Sequence, residues 1–411
     1  MEVSTIFLLA TIAVAFYSSF MGGANDLANS MGTSVGSGVL THKKAVIVAA
    51  ITTFTGAILV GQYVTATIGK GIVDPSHFLD SKEHFVYGMF AAIFGSGLFL
   101  NLANYFGLPV STTHSIVGAV AGFGIVAQGA SCINWKNILK IAGSWVTSPL
   151  LGGILGFIIF VFIRKNILES KKPKKAAQFV LPVSIVFVMT TIILSFLHTG
   201  LKNIHFQISF LASSLIALAF SAFLGLYIGW RIHIQIKKKK SEYDIIDKAF
   251  RNLQVVSASF VAFAYGANDV GNGVGPLVAI VKITGKNYNP SDNHIPFWII
   301  LLGAVGIVTG LAVFGARVLE TVGKKITEIT PLRGFSAEFS AATTVLLASR
   351  MGMPISTTHT LVGAVIGVGL ARGMEALDLG LVRKIIYSWL LTIPASVVFS
   401  AIIYYLLIKI F

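Results

Sequence analysis

Gly23-Ala24-Asn25-Asp26-Leu27-Ala28-Asn29 lies inside a long apolar run, and Gly266-Ala267-Asn268-Asp269-Val270-Gly271-Asn272 repeats it inside another. A carboxylate at the centre of a membrane helix costs about 2.5–3.5 kcal/mol on insertion scales. A doubled phrase that carries this residue implies work for both copies. Outward from it the chain is strongly apolar. Of its 411 residues 55% are hydrophobic and 11% charged, and the mean hydropathy is +0.82. Soluble domains carry about 25% charged residues. Runs 45–68, 141–163, 208–230 and 385–408 are long enough to cross a bilayer. They lack the period-two alternation of barrel strands. The expected fold is all-α, a polytopic membrane protein with about 12 transmembrane helices.

The start, Met1-Glu2-Val3-Ser4, has no basic leader region and reads as the entry to a retained first span. Cys132 is the single cysteine, which excludes an intrachain disulfide and a multi-cysteine metal site. The net charge of +15 comes from Lys and Arg in loops beside the spans. There they set orientation and meet anionic membrane lipid, so no nucleic-acid partner is expected.

Three landmarks recur in one order at nearly one spacing. The Asp motif returns after 243 residues, Pro109-Val110-Ser111-Thr112-Thr113-His114 after 245, and Ser144-Trp145 after 244. The chain divides into a first repeat of about five spans (1–163), a two-span insert with basic loops (164–252) and a second repeat (253–411). With the N-terminus outside, 22 of the 31 Lys and Arg fall on inside segments. Both termini are then outside, and the two repeats are inverted relative to one another. Gly and Asn are poor helix formers, so a helix broken near mid-membrane is expected at Gly22–Asn29 and again at Gly266–Asn272.

Inverted repeats with broken helices place a binding site at the midplane between them. Asp26 and Asp269 would meet there. With Asn25, Asn29, Asn268 and Asn272 they supply hard oxygens around negative charge, which suits a small cation. Na⁺ is the natural choice, and a proton on Asp is the simpler alternative. Pro109 and Pro354 can precede or open a helix, with Ser111 or Thr112 as a cap. Helix N-termini bind phosphate-like anions. Ser111, Thr112, Thr113, Ser356, Thr357 and Thr358 add hydroxyl donors for phosphate, and Asn25 and Asn268 belong to the expected phosphate site as well as to the cation site. Within these motifs no Lys or Arg would hold the anion irreversibly. His114 and His359 read as capping or supporting donors in preference to metal ligands. Glu338 is a third carboxylate without a symmetry mate, since Ile93 stands at the matching position. Trp145 and Trp389 line the cavity or pack at its edge.

The paired Gly-Ala-Asn-Asp-x-x-Asn motifs and the paired Pro-[Val/Ile]-Ser-Thr-Thr-His segments resemble the inorganic phosphate transporter (PiT) family over nearly the whole chain. The resemblance implies a cation-coupled phosphate symporter with inverted repeats, a homodimer, and signature positions at Asn25, Asp26, Asn29, Asn268, Asp269 and Asn272. Glu338 matches the second-half acid of eukaryotic members, whereas Thr53 stands where they carry the first. The expected function is Na⁺-coupled import of inorganic phosphate by alternating access, in the cell (inner) membrane, with no organic cofactor and no enzymatic reaction. The alternatives are H⁺-coupled phosphate or sulfate symport and an anion channel. Two Na⁺ would balance HPO₄²⁻. With H₂PO₄⁻ one positive charge is left, and the membrane potential adds about 2.3 kcal/mol per 100 mV.

Overall fold

The computed structural model describes residues 5–197, 208–237, 242–285, 294–316, 319, 329–373 and 377–411. Lys238–Lys240, Arg317, Lys324 and Lys325, counted above for orientation, lie outside them. The described residues form thirteen α-helices and no strand. They are α1 (Thr5–Gly36), α2 (His42–Val60), α3 (Gln62–Lys70), α4 (Lys82–Tyr105), α5 (Thr112–Gln128) and α6 (Trp135–Ile163), followed by α7 (Pro173–Ser195) and α8 (Phe210–Lys237). The remainder are α9 (Glu242–Thr284), α10 (Phe297–Val313), α11 (Pro331–Arg350), α12 (Thr357–Leu370) and α13 (Leu379–Ile410). Seven of these helices are long and apolar enough to cross a membrane, and α10 and α12 are shorter apolar helices. Exposed Leu, Ile and Phe side chains along α6, α8 and α13 give the bundle an apolar outer surface, as lipid requires.

The expected breaks at the Asp motifs do not occur. α1 is helical through Gly22–Asn29, and α9 runs unbroken for 43 residues. Tertiary packing overrides propensity here. A Cβ on Gly23 would lie 2.1 Å from the Ile307 carbonyl oxygen on α10, and one on Gly266 would lie 2.0 Å from that of Thr53 on α2. The glycines let backbones touch, and close approach through small residues is how membrane helices gain dispersion contacts.

The breaks fall elsewhere. α4 runs parallel to α1, with Phe7 on Phe90, Tyr17 on Asn101 and Asn25 on Asn104. α5 returns along α4, with Ser115 on Ser96 and Phe123 on Phe85. The outer ends of α4 and α5 therefore lie on one side, and the hairpin tip sits beside Asn25. α11 and α12 form the matching hairpin. Gln254 and Ser257 bind Glu338 early on α11, and Asn268 binds Ser349 near its end. Each tip turns at a glycine with positive φ, +63° at Gly107 and +67° at Gly352, a backbone region open to glycine but costly for other residues.

α1 and α9 are antiparallel. Ser37 hydrogen-bonds Gln254 near one end of the crossing, and Ser19 lies against Gly273 towards the other. The halves also exchange partners: α1 packs on α10, α2 on α9, α6 on α12 and α13 on α5. α7 and α8 pack on one another and reach the rest of the bundle mainly through α9.

Candidate functional site

Asp26 and Asp269 sit where α1 and α9 cross, 6% and 4% exposed. Asn29, three residues after Asp26, and Asp269 bind the adjacent residues Thr358 and Thr357 of α12, which brings the two carboxylates into one site. Around them the side chains make a symmetric set of bonds, first within each half and then between halves.

Within each half, the Asn before the Asp tethers the hairpin tip. Asn25 Nδ2 donates to Asn104 Oδ1 (2.8 Å) and to the Leu108 carbonyl (3.0 Å), and its Oδ1 accepts from the Val110 amide (3.3 Å). Asn268 Nδ2 donates to Ser349 Oγ (2.9 Å) and to the Met353 carbonyl (3.3 Å). Ser111 and Ser356 are the N-caps of α5 and α12, accepting from the amides of His114 (3.1 Å) and His359 (3.2 Å). The expected caps are thus present, at Ser and not at Thr112. The other first-turn amides have no intrahelical acceptor and are available to an anion.

Between halves, Asn29 Nδ2 donates to Thr358 Oγ1 (2.8 Å), and Asn272 Nδ2 donates to Thr112 and Thr113 Oγ1 (3.1 Å each). Thr113 Oγ1 donates to the Ile355 carbonyl (3.0 Å), and Thr358 Oγ1 donates to the Val110 carbonyl (3.1 Å). Each hairpin tip is thereby latched to the other. Asp269 accepts from Asn272 Nδ2 (2.9 Å) and from Thr357 Oγ1 (3.1 Å).

This network leaves three buried oxygens without a donor: Asp26 Oδ1, Asn268 Oδ1 and Asn272 Oδ1. Each unpaired buried polar group costs about 1–3 kcal/mol. A hard cation coordinated by oxygen would satisfy such a set. Ser111, Thr112, Thr113, Ser356, Thr357 and Thr358 are all at most 2% exposed, so this conformation is occluded. All twelve site residues expected from sequence converge here.

His114 and His359 meet behind the tips, ring centroids 4.3 Å apart, and each packs on the tryptophan of its own half, Trp145 at 4.0 Å and Trp389 at 3.5 Å. Pro149 lies inside α6. Without an amide hydrogen it cannot donate to the Trp145 carbonyl four residues earlier. Among the described residues no group of three or more His, Cys, Asp or Glu is placed to hold a metal.

Glu338 is apart from the tips. Its Oε1 accepts from Thr33 (2.5 Å), Ser34 (2.7 Å) and Gln254 (3.2 Å), and its Oε2 from Ser257 (2.5 Å). Thr33, Ser34, Gln254 and Ser257 escape a motif search because they are scattered along two helices. Asn104 and Ser349 lie outside both repeated motifs, although the 245-residue offset relates them.

Two re-entrant hairpins whose tips close over paired carboxylates, inside an apolar helical bundle, define a membrane transporter for small ions. Residues 22–400 match the model of the PHO4 phosphate transporter family, and the chain belongs to that family. It is 44% identical over 401 residues to a putative phosphate permease of Pyrococcus abyssi, covering 97% of this chain and 98% of the relative. It is 40% identical over 427 residues to "Inorganic phosphate transporter 2-1, chloroplastic" of Arabidopsis thaliana, covering 98% of this chain and 72% of the relative. A solved structure titled "The sodium-dependent phosphate transporter" superposes with a TM-score of 0.92 at 40% identity, covering 99% of this chain and 100% of that one. The chain is a phosphate transporter and not an enzyme.

Proposed function

We propose that the chain is a Na⁺-coupled symporter that imports inorganic phosphate by alternating access. The observation that carries this reading is the set of donorless oxygens on Asp26, Asn268 and Asn272, buried beside the N-termini of α5 and α12. Na⁺ would occupy oxygens of Asp26, Asp269, Asn29, Asn268 and Asn272, with Asn25 fixing its hairpin tip. Phosphate would take the free first-turn amides with the hydroxyls of Ser111–Thr113 and Ser356–Thr358. Cations bind first, because two carboxylates alone repel an anion. The relative titled as sodium-dependent supports the choice of ion.

The same reading divides the chain into inverted repeats at 1–163 and 253–411 around the insert 164–252. The antiparallel α1 and α9 and the exchanged contacts support it. It places a homodimer in the cell membrane with both termini outside. Alternating access then requires the latches between hairpin tips to open on one side at a time.

The test is uptake of labelled phosphate by proteoliposomes at constant pH. An inward Na⁺ gradient should drive accumulation, and replacement of Na⁺ by K⁺ should abolish it. Uptake that follows a pH gradient and ignores Na⁺ would establish the proton reading. Labelled sulfate in the same assay decides the anion. Acceleration of entry by internal unlabelled phosphate separates a carrier from a channel.

A further inference from the structure

α7 and α8 cross closely. A Cβ on Gly225 would lie 2.5 Å from Val186, and one on Gly229 would lie 3.1 Å from Pro182. The pair meets α9 over a much shorter stretch. A slot of about 300 Å³ remains between the three helices. Its walls are mostly apolar, with Ile185 and Met189 from α7, Leu224 and Ile228 from α8, and Leu253 and Val256 from α9, and Tyr227 and Asn252 add polar groups. Its mouth carries Arg231 from α8 and Lys248 from α9.

Both cations are exposed, and among the described residues neither has an ion-pair or hydrogen-bond partner. Two described acids share this stretch of α9: Asp244, one turn before Lys248, is exposed and makes no ion pair with it among the described residues, and Asp247 is engaged elsewhere. Asp247 binds Arg251 at 2.7 Å and lines a different cavity, with Phe160 and Arg333. From Arg231 to Leu224 the helix descends seven residues, about 10 Å. Two cations that make no ion pair among the described residues thus head a three-walled, largely apolar channel. The charge excludes an apolar occupant at the mouth, and the walls exclude a free ion below it. An amphiphile with an anionic head fits both.

We propose that this slot binds one anionic phospholipid, its headgroup phosphate on Arg231 and Lys248 and an acyl chain along Ile185, Met189, Leu224 and Val256. The lipid wedges the α7–α8 pair against α9, the helix that carries Asp269. This site is separate from the transport site, and its occupancy is independent of which ion drives transport.

Native mass spectrometry of the delipidated full-length protein tests the proposal by titration with phosphatidylglycerol and with phosphatidylcholine of the same chains. One phosphatidylglycerol per chain should be retained about tenfold more tightly than phosphatidylcholine. Arg231→Gln with Lys248→Gln should erase that preference. Ala249→Trp, which fills the slot without changing charge, should remove binding of both lipids; Ile228→Trp repeats this test should the first variant not fold. Circular dichroism and phosphate binding report folding. Equal retention of the two lipids by wild type overturns the proposal. So does displacement of phosphatidylglycerol by millimolar inorganic phosphate, which would mark a free-anion site. Unchanged retention in the tryptophan variant would reduce the effect to surface charge. A change of oligomeric mass in the Gln variants, with lipid unaffected, would assign the face to a second copy of the chain.

Discussion

Asn29 on α1 donates a 2.8 Å hydrogen bond to the hydroxyl of Thr358, the second residue of α12. The bond joins the Asp-bearing helix of one half to the hairpin tip of the other. Its counterpart runs from Asn272 to Thr113 at 3.1 Å. Each Asn lies three residues after the Asp, on the same helical face, and Asn272 also binds Asp269. At the proposed cation site, an ion pulling on Asp or Asn oxygens would therefore act on the opposite hairpin. Asn29→Ala and Asn272→Ala should each weaken the Na⁺ dependence of phosphate uptake by about 10–100-fold, the usual effect of losing a group that orients an ion ligand. The measurement is the Na⁺ concentration for half-maximal uptake. An unchanged value in both variants would disconnect the latch from the cation.

Asp26→Asn and Asp269→Asn preserve shape and remove charge. Both aspartates are buried, and Asp26 Oδ1 has no donor. Folding should survive, because a carboxamide is cheaper than a carboxylate in an interior without its counter-ion. Sodium affinity should fall at least tenfold, about 1.4 kcal/mol. Circular dichroism checks the fold and Na⁺-dependent phosphate binding checks the site. Wild-type sodium dependence in both variants would take the aspartates out of the mechanism.

The meeting of these aspartates was legible in the chain because a carboxylate in an apolar run has few reasons to exist, and duplication gave the pairing. The caps at Ser111 and Ser356 followed from Pro and Ser preceding an apolar run. The position of the helix breaks was not legible. Propensity marks Gly22, Gly23 and Asn25 as breakers, but the gain from seating Gly23 on Ile307 is tertiary and leaves no local trace. The true turns at Gly107 and Gly352 resemble any loop between spans, so two hairpins that turn back at the site read as four crossings. The bonds from Asn104, Ser349, Gln254 and Ser257 depend on which helices become neighbours, and that information is in the packing.

The two classes of glycine should separate in experiment. At Gly107 the constraint is conformational: φ is +63°, and Ala there costs about 1–2 kcal/mol. At Gly23 the constraint is steric, since a Cβ would sit 2.1 Å from a backbone oxygen that cannot rotate away. Gly107→Ala should lower the midpoint of thermal unfolding by a few degrees and keep phosphate binding. Gly23→Ala should force α1 and α10 apart and abolish binding, with a larger loss of stability. Equal loss in the two variants would mean that the crossing of α1 and α10 tolerates separation.

Glu338 provides a test in which the molecule supplies its own control. The position matching it in the first half is Ile93, fully buried without polar partners. Around Glu338, Thr33, Ser34, Gln254 and Ser257 all donate to the carboxylate. Glu338→Gln keeps the volume and one acceptor oxygen, and the rotating hydroxyls can accept from its amide. Its thermal midpoint should stay within a few degrees of wild type. Glu338→Ile copies the first-half residue but leaves four donors facing a hydrocarbon. At about 1–3 kcal/mol for each group left unpaired, and with some hydroxyls able to turn back to their own helix carbonyls, a loss of several kcal/mol is expected. Should the Ile variant match the Gln variant in thermal unfolding, the four hydrogen bonds would carry no net stability. If Gln alone abolishes phosphate uptake while the midpoint holds, the carboxylate's charge serves transport and the surrounding hydroxyls are there to keep it buried.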